Sequence, residues 1–213
     1  DSVVRDFETQ DDGSIIVGGE FNNYNNQASN YLIKLNGDGS INQKFSPRYL
    51  PNAPVNAVAT APDGSIIIVG EFTKLGDLQR RYIAKYKSDG RLDPDFDSVE
   101  GADGVIHDVV VQPDGKIIIG GDFNKINFVN RNKIARLNTD GTVDRSFDPG
   151  LGFDSTVFSL LLDKNKLRSV PNLDNPNSTS VIDNSEYLNV YAGGLFHEYD
   201  GVRRVGLARI NGD

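Results

Sequence analysis

The chain has 213 residues, a formal net charge of −8 and no cysteine, methionine or tryptophan. The acidic balance argues against binding to a phosphate backbone, which needs clustered Lys and Arg, and the lack of cysteine excludes a disulfide framework or a thiolate metal site. No apolar run of about 18 residues is present to span a bilayer, and no charged-then-apolar leader opens the chain. It starts at Asp1, inside the first strand of a repeat and without an initiator methionine, as a processed or partial piece of a longer protein would.

In chain order, the first turn signal is Asp11-Asp12-Gly13, and its glycine recurs at Gly64 and Gly115, 51 residues apart each time. A second turn glycine follows at Gly39, Gly90 and Gly141 with the same interval. Within the second copy, Val55, Ala57, Val58 and Ala59 read as a first strand ended by Pro62-Asp63-Gly64, where Pro fixes φ and Gly accepts a positive φ. Ser65 to Val69 reads as a strand buried on both faces. Gly70, like Gly19 and Gly121, permits a close backbone approach, and Phe72, matched by Phe21, Phe123 and Phe196, is a core plug between sheets. Arg81 to Lys87 alternates as a third strand up to Asp89-Gly90, after which Leu92 and Phe96 mark a short fourth element. A fourth copy begins at Val157, with Gly193-Gly194 and Phe196, but its first turn is replaced by a polar insert over 163–186 and Asp213 falls before its fourth element.

No stretch carries helical apolar spacing. Four-stranded units of about 51 residues, each too small to bury its own apolar face, predict an all-β chain, a β-propeller of four blades belonging to a larger propeller. The blades span 1–50, 51–101, 102–152 and 153–213. A β-solenoid is the second choice, since solenoid coils usually repeat at a shorter period without two tight hairpin turns per unit.

The third copy reads V-x-x-V-x-x-Q-P-D-G-K-I-I-I-G-G-D-F from Val105, then runs through Ile134 to Gly141 and Asp144 to Gly150. This pattern resembles the delta-60 repeat, over nearly the whole chain; copy one has Asp11 for the turn proline, and copy four loses the turn. The resemblance implies a bacterial or related propeller, frequent in large surface or secreted proteins, with no established catalytic residues to carry over.

In an antiparallel meander the tight Asp-Gly turns share one end of each blade, and the 2–3 and inter-blade connections share the other. That second end carries loops over 22–30, 73–80, 124–132 and 197–204. Loops on a rigid scaffold are where recognition is usually placed, so Tyr24, Tyr31, Leu78, Arg80, Phe128, Arg131, Tyr199 and Arg203 are the candidate partner-binding residues. The alternative is that these loops only cap the blades, each aromatic packing on its neighbour. The insert, with Asn172, Asn175 and Asn177, is expected to project from the tight-turn end as an exposed excursion, either docking a partner or tolerated as decoration. Asn177-Ser178-Thr179 also fits a glycosylation sequon.

A basic residue recurs at Lys34, Lys85, Arg136 and Arg209, and an acid at Glu20, Glu71 and Asp122. Their recurrence predicts inter-strand or inter-blade ion pairs. His107 and His197 lack ligand spacing for zinc, and the Asp-Gly turns lack the closing Glu of a calcium loop, so no metal or cofactor is expected. No nucleophile elbow or phosphate-binding loop is visible. The reading is a non-enzymatic binding or assembly module recognising a protein or surface glycan, completed by further blades or other subunits, on a cell surface, in a secreted protein or on a virion. The alternatives are a propeller enzyme acting on glycans with carboxylates from several blades, and a purely structural subunit of a larger particle.

Overall fold

A computed structural model describes residues 2–96, 100–163, 169–172, 175–181 and 189–211. The first repeat forms β1 (Val4–Thr9), β2 (Ile15–Gly19), the two-residue strands β3 (Asn23–Tyr24) and β4 (Gln27–Ala28), and β5 (Leu32–Leu35). In the second repeat the same positions give β6 (Val55–Thr60), β7 (Ile66–Gly70), β8 (Lys74–Leu75), β9 (Leu78–Gln79) and β10 (Ile83–Tyr86). The third gives β11 (Ile106–Val111), β12 (Ile117–Gly121), β13 (Lys125–Ile126), β14 (Val129–Asn130) and β15 (Ile134–Leu137). In the fourth, β16 (Val157–Leu162) is followed by the insert strands β17 (Ser169–Asn172) and β18 (Asn175–Val181), then β19 (Val190–Gly194), β20 (Glu198–Tyr199), β21 (Val202–Arg203) and β22 (Leu207–Ile210). Every described element is a strand.

Each repeat folds as a three-stranded antiparallel sheet with the second long strand in the centre: β1-β2-β5, β6-β7-β10, β11-β12-β15 and β16-β19-β22. The fourth strand of each of the first three blades is reduced to a bridge, Leu35 to Ile41, Tyr86 to Leu92 and Leu137 to Val143. Its backbone still reaches back to the third strand, as in Asp93 N to Lys85 O at 2.8 Å. Within β7 and β12 every residue is buried, as expected of a strand covered on both faces.

All four first strands carry a bulge, after Val4, Val55, Ile106 and Val157. The cause lies in the glycine opposite. A Cβ on Gly70 would run into the carbonyl oxygen of Pro54, which the Glu71 N–H holds at 2.9 Å, and Gly121 stands in the same relation to Val105. The closeness leaves the bulged residues, Arg5, Asn56, His107 and Phe158, outside the ladder and free to reach the next blade.

Adjacent blades stack through their first strands, β1 on β6, β6 on β11 and β11 on β16. Three cores fill the three interfaces. Between blades one and two lie Ile16, Leu32, Phe45, Val55, Val58 and Phe72; between two and three, Ile67, Ile83, Phe96, Ile106 and Phe123; between three and four, Ile118, Ile134, Phe147, Val157 and Phe196. The recurring phenylalanines are therefore plugs, fully or nearly fully buried, with Phe21 on the outer face of blade one beside Val17 and Ile33.

The 2–3 connections, read as loops from sequence, are small hairpins, and those of blades two, three and four pair with the linker that precedes their blade: Pro51 with Leu75, Ala102 with Ile126, Phe153 with Tyr199. These bridges put both kinds of connection at one end of the array. At the other end, Asp163 N donates to Asn189 O at 2.9 Å and closes the base of the insert. Its two strands pair antiparallel with each other, a ribbon rather than an irregular excursion; residues 164–168, 173–174 and 182–188 lie outside the described residues.

Candidate recognition site at the long-loop end

The tips of the small hairpins are built from left-handed backbone. Asn25 and Asn26 have φ of 47° and 62°, Asn127 and Phe128 have 46° and 64°, and Asp200 and Gly201 have 49° and 70°, the consecutive positive pair of a type I′ turn. Asn, Asp and Gly adopt this region readily; Phe enters it only at a cost. Yet Phe128 occupies it, with 78% of its surface exposed.

The other aromatics foreseen for this end are tied into the scaffold. Tyr24 donates its hydroxyl to Gly39 O at 2.7 Å, and Tyr31, itself at φ 70°, packs on the core between blades one and two. Tyr199 stacks at 4.7 Å on Phe153, which lies 4.3 Å from Phe196. Burial, with the charges of Asp200 and Asp148, pushes its phenol up to about 12. Leu78 is half-buried opposite Leu75, and Arg80 and Arg131 fold back to the carbonyls of Gln79 and Asn130 at 2.8 and 3.0 Å. Arg203 is exposed across the hairpin from Glu198. These residues are spread over four blades; the sequence candidates left open to a partner are Phe128 and Arg203.

One exposed residue escaped the sequence reading. Leu151, 69% exposed, is presented by the linker between Gly150 and Gly152, with its carbonyl held by Asn132 Nδ2 at 2.8 Å and its N–H by Asp200 Oδ1 at 2.9 Å. Its signal was a lone large apolar side chain between two glycines. The insert residues Asn172, Asn175 and Asn177 lie in β17 and β18, which leave from the opposite end. The turn glycines Gly13, Gly39, Gly64, Gly90, Gly115 and Gly141 all have φ between 77° and 88°, as their turns require.

Five of the seven recurring charges, Lys85, Arg136, Glu20, Glu71 and Asp122, form ion pairs, but the basic and acidic rows do not pair with each other. Lys85 Nζ lies 3.5 Å from Asp63 and 3.7 Å from Asp93, both in its own blade, and donates to Thr139 O of the next. Arg136, buried against the Phe147 ring, donates from Nε to Asp144 Oδ2 at 2.8 Å, and Lys116 reaches the same oxygen at 3.2 Å. The acidic row instead meets the bulged residues: Arg5 bonds Glu20 at 2.5 Å and Glu71 of the next blade at 2.6 Å, and His107 Nε2 lies 3.0 Å from Asp122. Turn aspartates are Asx caps, as where Asp38 accepts from both the backbone and hydroxyl of Ser40 at 2.9 and 2.6 Å. The Asp38 carboxyl is lowered by those bonds. Among the described residues no group of three or more His, Asp or Glu is placed to hold a metal ion.

The sequence profile described as "Domain of unknown function (DUF5122) beta-propeller" matches residues 10–45, 61–96, 112–147 and 189–213. A comparison with curated proteins finds no match. Among solved structures, the extracellular domain of the putative one component system BT4673 from B. thetaiotaomicron is similar at 12% identity with a TM-score of 0.33, over 98% of this chain. The alignment covers 34% of that structure, so this chain spans about a third of its length. Three of the matched segments run from the end of a first strand, at Gln10, Ala61 and Gln112, to the phenylalanine that closes the blade, at Phe45, Phe96 and Phe147, and together with the fourth they cover more than half of the sequence: the chain belongs to the DUF5122 beta-propeller family.

Proposed function

We propose that the chain is a non-enzymatic recognition and assembly module of the delta-60 type, four blades of a larger propeller, which meets a protein or surface glycan through its long-loop end in a bacterial surface, secreted or virion-appendage protein. The observation that carries recognition is Phe128. A side chain with a Cβ at this φ costs about 1–2 kcal/mol, and the ring gains no burial in return. Folding alone favours Asn or Gly there, so an exposed aromatic on a rigid turn supports an anchor for a partner. Leu151 and Arg203 add apolar and cationic contact area at the same end.

Assembly is supported by the two outer blade faces. Phe7 is 64% exposed where its counterparts Val58, Val109 and Leu160 are buried under the preceding blade; Leu207 is 63% exposed where Leu32, Ile83 and Ile134 are buried under the following one. The non-enzymatic reading is supported by two first-strand acids that are committed to structure. Asp6 Oδ2 accepts the Val58 N–H at 2.8 Å and Asp108 Oδ2 the Leu160 N–H at 2.6 Å, each pinning its blade to the next.

Recognition is tested by titrating the chain and its Phe128→Asn variant against immobilised bacterial surface polysaccharides and surface-protein fragments. Binding that Phe128→Asn weakens at least about tenfold, with thermal stability kept or raised, is the expected result. Binding that ignores the substitution removes the loop end as the recognition surface. Sedimentation velocity tests assembly: association dispersed by Leu207→Glu supports it, and a monodisperse monomer refutes it.

A further inference from the structure

At the tight-turn end the last residues of β1, β6, β11 and β16 line an open cavity of about 530 Å³. One or more residues from each blade line it, among them Glu8, Thr60, Gln112 and Leu162, and the volume lies within the roughly 300–1,000 Å³ of small-molecule sites. Gln112 is 1% exposed, and neither Nε2 nor Oε1 of its carboxamide has a hydrogen-bond partner among the described residues.

The repeat explains why this amide is alone. Its counterpart in blade one, Gln10, donates from Nε2 to Thr60 Oγ1 of the following blade at 3.2 Å and accepts from Ser14 Oγ at 3.1 Å. For Gln112 the place of Thr60 is taken by Leu162 and that of Ser14 by Lys116, so the donor and the acceptor are both missing. In blade two the position is Ala61, which leaves the space open. Lys34 lines the same cavity, 7% exposed, with no carboxylate among the described residues within ion-pair distance of its ammonium. Its counterparts Lys85 and Arg136 both have such partners. Burying a polar group without partners opposes folding, so a site that keeps the Gln112 carboxamide bare, beside an ammonium with no carboxylate at ion-pair distance, is built for something that supplies the missing bonds.

We propose that this axial cavity binds a neutral mono- or disaccharide. A carboxamide with a free donor and a free acceptor is complementary to a vicinal pair of hydroxyls, each of which gives and takes a hydrogen bond. Lys34 donates to a further hydroxyl, the Glu8 carboxylate and Thr60 hydroxyl offer acceptors, and Leu162 with Pro113 supplies an apolar wall for a sugar face. The acids at the rim, Asp11 and Asp12 besides Glu8, oppose an anionic ligand. This site lies at the end opposite Phe128 and does not depend on the loop-end reading.

Saturation-transfer NMR and calorimetry on the whole chain test it, with glucose, galactose, mannose, N-acetylglucosamine, maltose and cellobiose as probes. At least one sugar is expected to bind, with affinity lowered about tenfold or more by Gln112→Leu, which keeps the volume but removes the amide, and unchanged by Phe128→Asn. Where Gln112→Leu fails to fold, Ala61→Leu, filling the cavity from blade two, carries the same expectation. The proposal is overturned if no probe binds, if binding survives the cavity substitution, or if Phe128→Asn abolishes it, which would transfer the sugar to the loop end.

Discussion

Asp144→Asn isolates the worth of a buried charge inside one blade. The carboxylate takes the Arg136 Nε–H at 2.8 Å, the Ser146 N–H at 2.9 Å and the Ser146 hydroxyl at 2.7 Å, with Lys116 Nζ at 3.2 Å. Arg136 itself is 3% exposed. Burial alone would raise the Asp144 carboxyl, but the Ser146 bonds and the charges of Lys116 and Arg136 outweigh it and hold the group well below the usual carboxylate range. An Asn keeps an acceptor for Arg136 but strips the charge, leaving the guanidinium in a poor solvent. Removing one partner of a buried pair costs about 3–5 kcal/mol, and the retained hydrogen bond brings the expected loss to about 2–3 kcal/mol. With a urea slope of about 2–3 kcal/mol/M the midpoint falls by about 1 M. The sign of the pH dependence follows from the depressed group: its contribution is whole above the unfolded-state carboxyl value, about 3.9, and drains away as pH falls toward the folded one. Wild type therefore loses stability below about pH 4 more steeply than Asp144→Asn. The exposed pair of Arg91 and Asp89, at 2.7 Å, is the control, and Asp89→Asn is expected to leave the midpoint in place. Equal urea midpoints for Asp144→Asn and wild type, or parallel acid limbs, would refute the argument that this charge is structurally committed.

Two further substitutions separate kinds of constraint on the repeat. Gly121→Ala puts a methyl against the Val105 carbonyl oxygen and Ile106 Cα, both backbone, and is expected to cost about 2–4 kcal/mol. Gly115→Ala meets only a threonine methyl while straining a φ of 86°, for about 1–2 kcal/mol, so thermal unfolding should rank Gly121→Ala as the worse, and the reverse order would discount the close approach. Phe72→Ala empties the plug between blades one and two and is expected to lower unfolding free energy by about 3–5 kcal/mol; a loss under about 1 kcal/mol would mean that the blades do not depend on it.

The blade was legible because its constraints repeat. An Asp-Gly turn, an apolar strand, a glycine against a neighbouring carbonyl and a phenylalanine plug recur at one interval, and each has a local physical cause readable from residue type. The fourth strand was harder to read, since Leu92 and Val143 make only a bridge: an apolar residue after a turn marks a place in the core without saying how many backbone bonds surround it. The ion pairs are legible in sequence as a class but not in their partners. Lys85 points along its strand toward the turns at Asp63 and Asp93, whereas Glu71 sits beyond the bulge and meets Arg5. Sequence spacing does not reveal which way a bulged residue turns. For the same reason Tyr24, Tyr31 and Tyr199 looked open in sequence and are tied down in the fold, while Leu151 was passed over between two glycines.

In a repeat array the residues that satisfy the fold are those the copies share, so chemistry particular to this chain has to sit where one copy departs from the others at a cost. Three departures meet that condition. Phe128 stands where two other copies use Asn26 and Gly201. Gln112 and Lys34 keep polar groups that their counterparts in other blades satisfy, Gln10 by a hydroxyl and Lys85 by carboxylates. In blade four, Leu195 replaces the acid of the other three and Phe158 the polar bulge residue, which turns an ion-pair rim into an apolar one with both side chains exposed. The first two departures lie at the loop end and the axial cavity, and the outer blade face at Leu207 is a third place, so the three proposed contacts are separable by single substitutions. Were one partner to occupy all of them, Phe128→Asn, Gln112→Leu and Leu207→Glu would weaken the same binding event; independent effects on three assays are what the geometry calls for.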